Sequence, residues 1–182
     1  MSNILKPLKP PHDPEIAAVL GGYPQQNGYI LSLFRTFANS MRFLTKAVPN
    51  LLDKDSPLPL REREIVILRT TANLNCEYEW GVHVAIFAKA AGLSDAQVSA
   101  TQNGSANDAV WSNAESLLIR CVDNLCDRGN IANVQLADFQ KRWSLDAQLE
   151  IMALCGTYHT VSFVANSARL ANEGFGTPFP SR

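Results

Sequence analysis

The sequence has no excess of charge of either sign and no long apolar run. Its formal net charge is -1, and Lys and Arg form no cluster along the chain. Nucleic acids and anionic membranes are bound by basic patches, so we expect neither partner. No run of about eighteen successive apolar residues occurs, and residues 1–14 lack the apolar core of a signal peptide. These absences predict a soluble, cytoplasmic protein.

Cysteine and histidine are too few and too scattered to indicate a disulfide framework or a metal site. A chain of 182 residues can fold by core burial alone, so the four cysteines are expected to be reduced. Cys121 and Cys126 would lie about 140° apart on a helix, so they do not form a facing pair. Together with Cys155 they are interpreted as small core residues. The three histidines show no ligand spacing, and no metal or cofactor is predicted.

No segment shows a convincing strand-like alternation of apolar and polar residues, whereas helical spacing of apolar residues recurs along the chain. We predict an all-α bundle of about eight helices in one domain over residues 15–182. A proline-rich arm over residues 1–14, extended or disordered, precedes it. After a weak helical turn at residues 15–20, helices are predicted over approximately residues 30–37, 41–48, 60–73, 76–91, 95–103, 107–127, 134–143 and 146–172.

The stretch NCEYEWGVH, residues 75–83, concentrates side chains suited to chemistry. If a helix runs from about Cys76, then Cys76, Glu79, Trp80 and His83 lie at i, i+3, i+4 and i+7 on one face. Glu64, on the preceding predicted helix, would add a second carboxylate if the two helices pack together. Each of these residues alone is typical of a core position or a surface pair. Their joint spacing favours a candidate site.

The residue types in this stretch predict acid/base chemistry. Glu79, one turn before His83, would favour the imidazolium as a proton donor or fix the tautomer of a base. The same negative charge opposes a thiolate at Cys76, so a neutral thiol is expected there. Trp80 would form an apolar wall for a flat ring. Arg69 is a candidate cation for developing negative charge, or else a structural ion-pair partner.

Other chemically active residues have a simpler interpretation. The run Arg61-Glu62-Arg63-Glu64 is interpreted as a solvated helix start from which only Glu64 turns inward. Tyr158-His159 lies in the last predicted helix, and His159 is interpreted as a satisfied core or interface histidine.

The pattern Glu64-x11-Cys76-x2-Glu79-x3-His83 resembles the carboxymuconolactone decarboxylase family, which also contains the alkylhydroperoxidase AhpD. The upstream segment LFRTFANSMRFL is similar to the helix that precedes this motif in many members. The resemblance implies an AhpD-like all-α fold that assembles as a trimer or hexamer, with sites near subunit interfaces. By position, Glu64 and His83 match the proton relay of the peroxidase, and Cys76 matches the first cysteine of its Cys-x-x-Cys pair.

Glu79 departs from that pattern, because it occupies the position of the second cysteine. Without a second sulfur within one helical turn, the intramolecular disulfide cycle of the peroxidase cannot be transferred. We therefore expect a cofactor-free, lyase-like enzyme that uses Glu/His acid/base chemistry on a small carboxylic acid or lactone. The alternatives are a thiol peroxidase in which Cys76 reacts and an external thiol resolves it, and a non-catalytic helical assembly protein.

Overall fold

The computed structural model describes residues 4–181 and consists almost entirely of helices. In chain order its elements are α1 (Pro14–Leu20), β1 (Gln25–Gln26), β2 (Tyr29–Ile30), α2 (Ser32–Phe37), α3 (Met41–Lys46), α4 (Leu60–Asn73), α5 (Glu77–His83), α6 (Asp95–Asn103), α7 (Asn113–Arg128), α8 (Asn133–Arg142) and α9 (Leu145–Ser167). A π-helical segment, Val84–Ala88, continues α5. The two strands form one short antiparallel pair. The all-α fold predicted from the sequence is confirmed.

Two helices differ from the prediction by five or six residues at one end. Helix α7 begins at Asn113 and not near residue 107, because Ser112 and Glu115 form a capping box in which each side chain accepts from the other residue's backbone N–H. Helix α9 ends at Ser167 and not near residue 172; Arg169 just beyond it has a positive φ of 50°. Among residues 4–181, no helix combines the length and apolar character needed to cross a bilayer.

Helix α4 lies at the centre of the bundle. Residues 65–68 of this helix are completely buried, and α4 packs most extensively against α7 and α9 and also contacts α5 and α6. A helix enclosed on several sides needs apolar side chains around most of its circumference. Glu64 opens this buried stretch and is itself completely buried. Because α4 packs on α5, Glu64 lies next to residues 75–83.

The C-terminal tail, residues 168–181, crosses α5 and closes the structure on that side. The Thr177 backbone N–H donates to the Gly81 carbonyl at 3.1 Å. A Cβ at position 81 would overlap the Thr177 carbonyl oxygen, so the crossing requires glycine there. Two positions further on, the Phe179 N–H donates to Glu77 Oε1 at 2.7 Å. The tail is therefore held by the same helix that carries Glu79 and His83.

A buried carboxylate also ties the tail to α2. Glu173 accepts hydrogen bonds from the Tyr78 hydroxyl at 2.5 Å and from the Ser32 backbone N–H at 2.7 Å. The second bond satisfies a donor in the first turn of α2, where a negative charge is also favoured by the helix dipole.

Residues 4–13, the described part of the predicted arm, run beside α2. The Leu8 backbone N–H donates to the Arg35 carbonyl at 3.1 Å, and the Arg35 guanidinium donates back to the Leu8 carbonyl at 3.2 Å. The Asn39 amide donates to the Lys6 carbonyl at 2.7 Å. Met1–Asn3, the start of the arm, lies outside the described residues.

Candidate active site

Glu64 and His83 form a buried pair between α4 and α5. His83 Nδ1 lies 2.8 Å from Glu64 Oε2. Only 2% of the His83 side chain and none of the Glu64 side chain is exposed. A hydrogen bond between two such groups is shielded from water, so their charges interact more strongly than they would at the surface.

The other face of the imidazole meets a residue from α9. The Tyr158 hydroxyl lies 3.0 Å from His83 Nε2, with the two rings edge to face. Glu79 Oε1 is also near this nitrogen, at 3.5 Å, which is longer than a well-formed hydrogen bond. Glu79 was expected to hold His83, but the two closest partners of the ring are Glu64 and Tyr158.

The carboxylates determine the charge of His83. Burial alone lowers the pKa of this imidazole, but the charges and hydrogen bonds of Glu64 and Glu79 more than offset it and raise the pKa to about 9. At neutral pH His83 is therefore an imidazolium, with Nδ1–H donating to Glu64 and Nε2–H directed at Tyr158. Burial and the same two carboxylates raise the pKa of Tyr158 well above its ordinary value, so Tyr158 keeps its proton.

Arg63 supplies a second positive charge behind the pair. It is 8% exposed, its Nε lies 3.8 Å from Glu64 Oε1, and its Nη1 donates to the Asp53 carbonyl at 3.0 Å. The interpretation of residues 61–64 as a solvated run from which only Glu64 turns inward was wrong for Arg63. Two buried carboxylates are thus accompanied by two buried cations, Arg63 and His83, which keeps the charge of the cluster near balance.

A cavity of about 380 Å³ opens beside Glu79 and Tyr158. Glu79 Oε2 is buried and has no hydrogen-bond partner among residues 4–181. The remaining walls are mainly apolar and come from α1 and the turn after it, α2, α3, the loop after α3 and α9; they include Leu33, Phe34, Phe37, Leu44, Leu51 and Val161. Among the described residues that line this cavity none is Lys, Arg or His. The cavity has the size and apolar character of a small-molecule pocket.

Cys76 lies before α5 and not within it. It is the N-cap residue, its thiol is completely buried, and it does not line the cavity. Burial raises the pKa of the thiol, and the negative charge of Glu79 adds to that rise. Both effects favour the neutral thiol.

Trp80 and Arg69 are directed away from the cavity. The Trp80 indole N–H donates to Thr101 on α6 at 2.9 Å, so its ring packs toward α6 and does not line the cavity. The Arg69 guanidinium donates to both carboxylate oxygens of Asp123 at 2.6 and 3.0 Å and to the Gly104 carbonyl at 3.0 Å. The structure thus brings Glu64, Glu79 and His83 together and leaves these two apart.

Sequence reasoning did not place Tyr158, Arg63 or the cavity walls in the site. Tyr158 lies 75 residues beyond His83, and the one local signal is a hydroxyl within an apolar helix, which indicates a buried hydrogen-bond partner without identifying it. Among residues 4–181, no three His, Cys, Asp or Glu side chains are grouped as metal ligands.

The segment that carries these residues was compared with known protein families. Residues 38–119 match the model of the carboxymuconolactone decarboxylase family. The resemblance predicted from the sequence is confirmed. The matched carboxymuconolactone decarboxylase segment contains Glu64, Cys76, Glu79 and His83, whereas Tyr158 and the C-terminal tail lie beyond it.

The fold extends beyond that segment. The apo crystal structure of the debrominase Bmp8 aligns with a TM-score of 0.70 over 96% of this chain and 95% of that chain, at 14% sequence identity. At that identity the likeness shows a shared fold alone. A comparison with curated protein sequences found no match.

Proposed function

We propose that the protein is an acid/base enzyme that moves a proton at a carbon next to a carbonyl group in a small, uncharged, largely apolar molecule such as a lactone. One observation carries the proposal: Glu79 and Tyr158 face the same apolar cavity, with the His83 imidazolium directly behind them. Of the two substrate classes expected from the sequence, the proposal retains the lactone and disfavours the free carboxylic acid.

Glu79 is the proposed base. Glu79 lines the cavity, 9% of its side chain is exposed, and its buried Oε2 atom has no other partner among residues 4–181, so the proposal places the substrate C–H against the exposed edge of this carboxylate. The proton passes from the substrate carbon to the carboxylate, and the electron pair of the C–H bond delocalises onto the substrate carbonyl. In a β,γ-unsaturated substrate the result is a dienolate, and return of the proton from Glu79 to its γ-carbon, with the C=C bond shifting into conjugation with the carbonyl, completes an isomerisation.

Tyr158 is the proposed donor to the developing oxyanion. Its oxygen accepts from His83 Nε2–H, which leaves its own proton free to donate to the substrate carbonyl oxygen. A positive imidazolium behind a neutral phenol strengthens that donation as charge builds up. In this scheme the cation that stabilises the charge is His83, acting through Tyr158, and Arg69 has no part in it.

The lining of the cavity supports the choice of substrate. A carboxylate placed there would face the negative charge of Glu79 without a neighbouring Lys or Arg. The apolar walls instead favour a neutral ring that is transferred from water. Cys76 is buried away from the cavity, so the thiol peroxidase alternative receives less support at this position.

Hydrogen exchange into solvent deuterium tests the proposal. Purified protein is incubated in D2O with a panel of small lactones and cyclic ketones and with the matching carboxylic acids, and mass spectrometry follows deuterium at carbon. We expect incorporation into neutral compounds, lowered about 10²–10⁴-fold by Glu79→Gln and about 10²–10³-fold by Tyr158→Phe. Cys76→Ser should retain the exchange. Exchange into none of the compounds, or exchange that survives Glu79→Gln, contradicts the proposal.

We further propose that the protein is a homo-oligomer that uses an exposed face of α9. Four apolar side chains recur there at helical spacing, and between 41% and 76% of each is exposed: Leu145, Leu149, Met152 and Phe163. Exposed apolar side chains that share one helix face are typical of a protein interface. The trimer or hexamer implied by the family resemblance would bury it.

A further inference from the structure

Arg63 contacts both the buried cluster of Glu64, Glu79 and His83 and the loop that forms one wall of the cavity. Its Nε lies 3.8 Å from Glu64 Oε1, and its Nη1 donates to the Asp53 carbonyl at 3.0 Å. Arg63 is a buried residue, and a cation shielded from water needs partners that compensate the loss of hydration. One partner lies in α4 and the other in the loop, so a single side chain bridges the two.

The loop between α3 and α4 is a continuous part of the cavity wall. Residues 48–52 all line the cavity, and Asp53 follows directly after them. Within the described part of the chain, two hydrogen bonds besides the helix caps join this loop to the helices. The Arg63 guanidinium donates to the Asp53 carbonyl, and the Ser56 hydroxyl donates to Glu150 on α9 at 3.0 Å. A segment held by few such bonds opens locally at little cost in free energy, so the position of this wall depends on each of them.

The charge of Arg63 also acts on the hydroxyl that faces the cavity. Burial and the carboxylates of Glu79 and Glu64 raise the pKa of Tyr158, and the positive charge of Arg63 opposes that rise. A more acidic phenol is a stronger hydrogen-bond donor, so this charge favours donation to an oxyanion in the cavity. Coulomb energy falls with distance, so the effect weakens if the guanidinium moves away. The hydrogen bond to Asp53 therefore affects Tyr158, because it helps to fix the position of the charge.

We propose that Arg63 is a positioning residue that couples the loop at the cavity to the buried cluster. With residues 48–52 against the cavity, the Asp53 carbonyl holds the guanidinium beside Glu64. Displacement of the loop removes that acceptor and frees the guanidinium to move, so the cluster and Tyr158 lose a neighbouring positive charge. The same side chain thus closes the cavity wall and strengthens the donor. The catalytic part of this role rests on the proposed acid/base function, whereas the loop and the charge can be measured without it.

Amide hydrogen exchange of the loop and NMR titration of His83 test the proposal on the full-length protein. The reporter amides are those of Leu52 and Asp55, which donate to side chains of the loop itself. Arg63→Met should speed their exchange about 10–100-fold, because a charged hydrogen bond to the loop is lost. It should also raise the pKa of His83, because one positive charge fewer opposes the imidazolium. A side chain that only held the loop would not move the His83 titration.

The charged and titratable groups around the His83–Glu64 pair come from three helices: Arg63 of α4, Glu79 of α5 and Tyr158 of α9. Arg63→Lys keeps the charge as a single compact donor, so it should restore the His83 titration while the loop still exchanges faster. Arg61→Met is the matched control, because Arg61 pairs with Glu115 on α7, and both readouts should stay unchanged. An unchanged loop or an unchanged titration in Arg63→Met overturns the proposal. Should Arg63→Met not fold, Arg63→Lys decides, and loop exchange at the rate of the unmutated protein overturns it.

Deuterium exchange into a neutral lactone or cyclic ketone tests the catalytic part. Arg63→Met should raise KM and lower kcat, each about tenfold, because the cavity wall and the donor are both affected. Arg61→Met should leave both constants unchanged. A raised KM with an unchanged kcat in Arg63→Met would overturn the coupling to the donor. Absence of exchange in the unmutated protein with every compound would count against the acid/base function, and the loop exchange and the His83 titration would then decide the role of Arg63.

Discussion

His83 Nδ1 and Glu64 Oε2 lie 2.8 Å apart in a hydrogen bond that joins α5 to α4. Each group would be costly to bury alone, because a charge taken out of water needs a partner. Together they hold the imidazolium whose other nitrogen meets Tyr158. The charge of His83, and with it the hydrogen bond to Tyr158 at the cavity, therefore depends on Glu64, which does not line the cavity.

Glu64→Gln is expected to lower the pKa of His83, because it removes the larger of the two carboxylate contributions that raise it. Loss of one partner from a buried pair should also lower the free energy of unfolding by about 3 kcal/mol. Titration of the His83 ring protons by NMR and urea unfolding measure the two effects. Glu62→Gln is the matched control, since the carboxylate of Glu62 accepts from Arg142 and Trp143 and does not contact His83. An unchanged His83 titration in Glu64→Gln would refute the assigned role.

The stability of the protein is expected to fall as pH rises from about 6.5 to about 9. The pKa of His83 is raised in the folded state from its ordinary 6.5 to about 9. A raised pKa means that the folded protein binds the proton more tightly, so the stabilisation is complete below pH 6.5 and is lost as pH passes through the folded value. The loss should be on the order of 3 kcal/mol. Urea unfolding at successive pH values measures it, and His83→Gln should remove this part of the pH dependence.

Arg69→Met is expected to destabilise the protein without altering the chemistry at the cavity. The guanidinium donates to Asp123 and to the Thr101 and Gly104 carbonyls, so its removal should cost roughly 1.5–3 kcal/mol. Deuterium exchange per folded molecule should be unchanged below the lowered Tm. A raised KM in a variant that is still folded would instead support the substrate-binding role first considered for Arg69.

Leu149→Glu is expected to lower the molar mass of the protein in solution. Position 149 lies in the exposed apolar stripe of α9, where a buried charge would oppose association. Size-exclusion chromatography with light scattering measures the mass. Val134→Glu, at another highly exposed apolar position, on α8, is the control and should leave the mass unchanged. A monomeric unmutated protein would contradict the proposed homo-oligomer.

Much of the local structure could be predicted because its causes are local. Helix α4 was predicted over the same residues it occupies, since Pro57 and Pro59 precede it and the asparagines at 73 and 75 follow its apolar run. Ser40 stands just before α3, a position that favours serine, and its hydroxyl accepts from the Phe43 N–H. Capping, helical periodicity and chain breaks act over a few residues, so they are visible in the sequence.

In the candidate site, too, the local features could be predicted from the sequence and the contacts between distant residues could not. The one-turn spacing of Glu79 and His83 determined by sequence alone that these side chains share a face, and the family pattern pointed to Glu64. Only tertiary packing decided that Glu64 binds one nitrogen of His83 and Tyr158 the other, and that Trp80 and Arg69 are directed elsewhere. These contacts join helices far apart in the chain, and burial decides their charge states. No periodicity in the sequence encodes which distant side chain will lie within 3 Å.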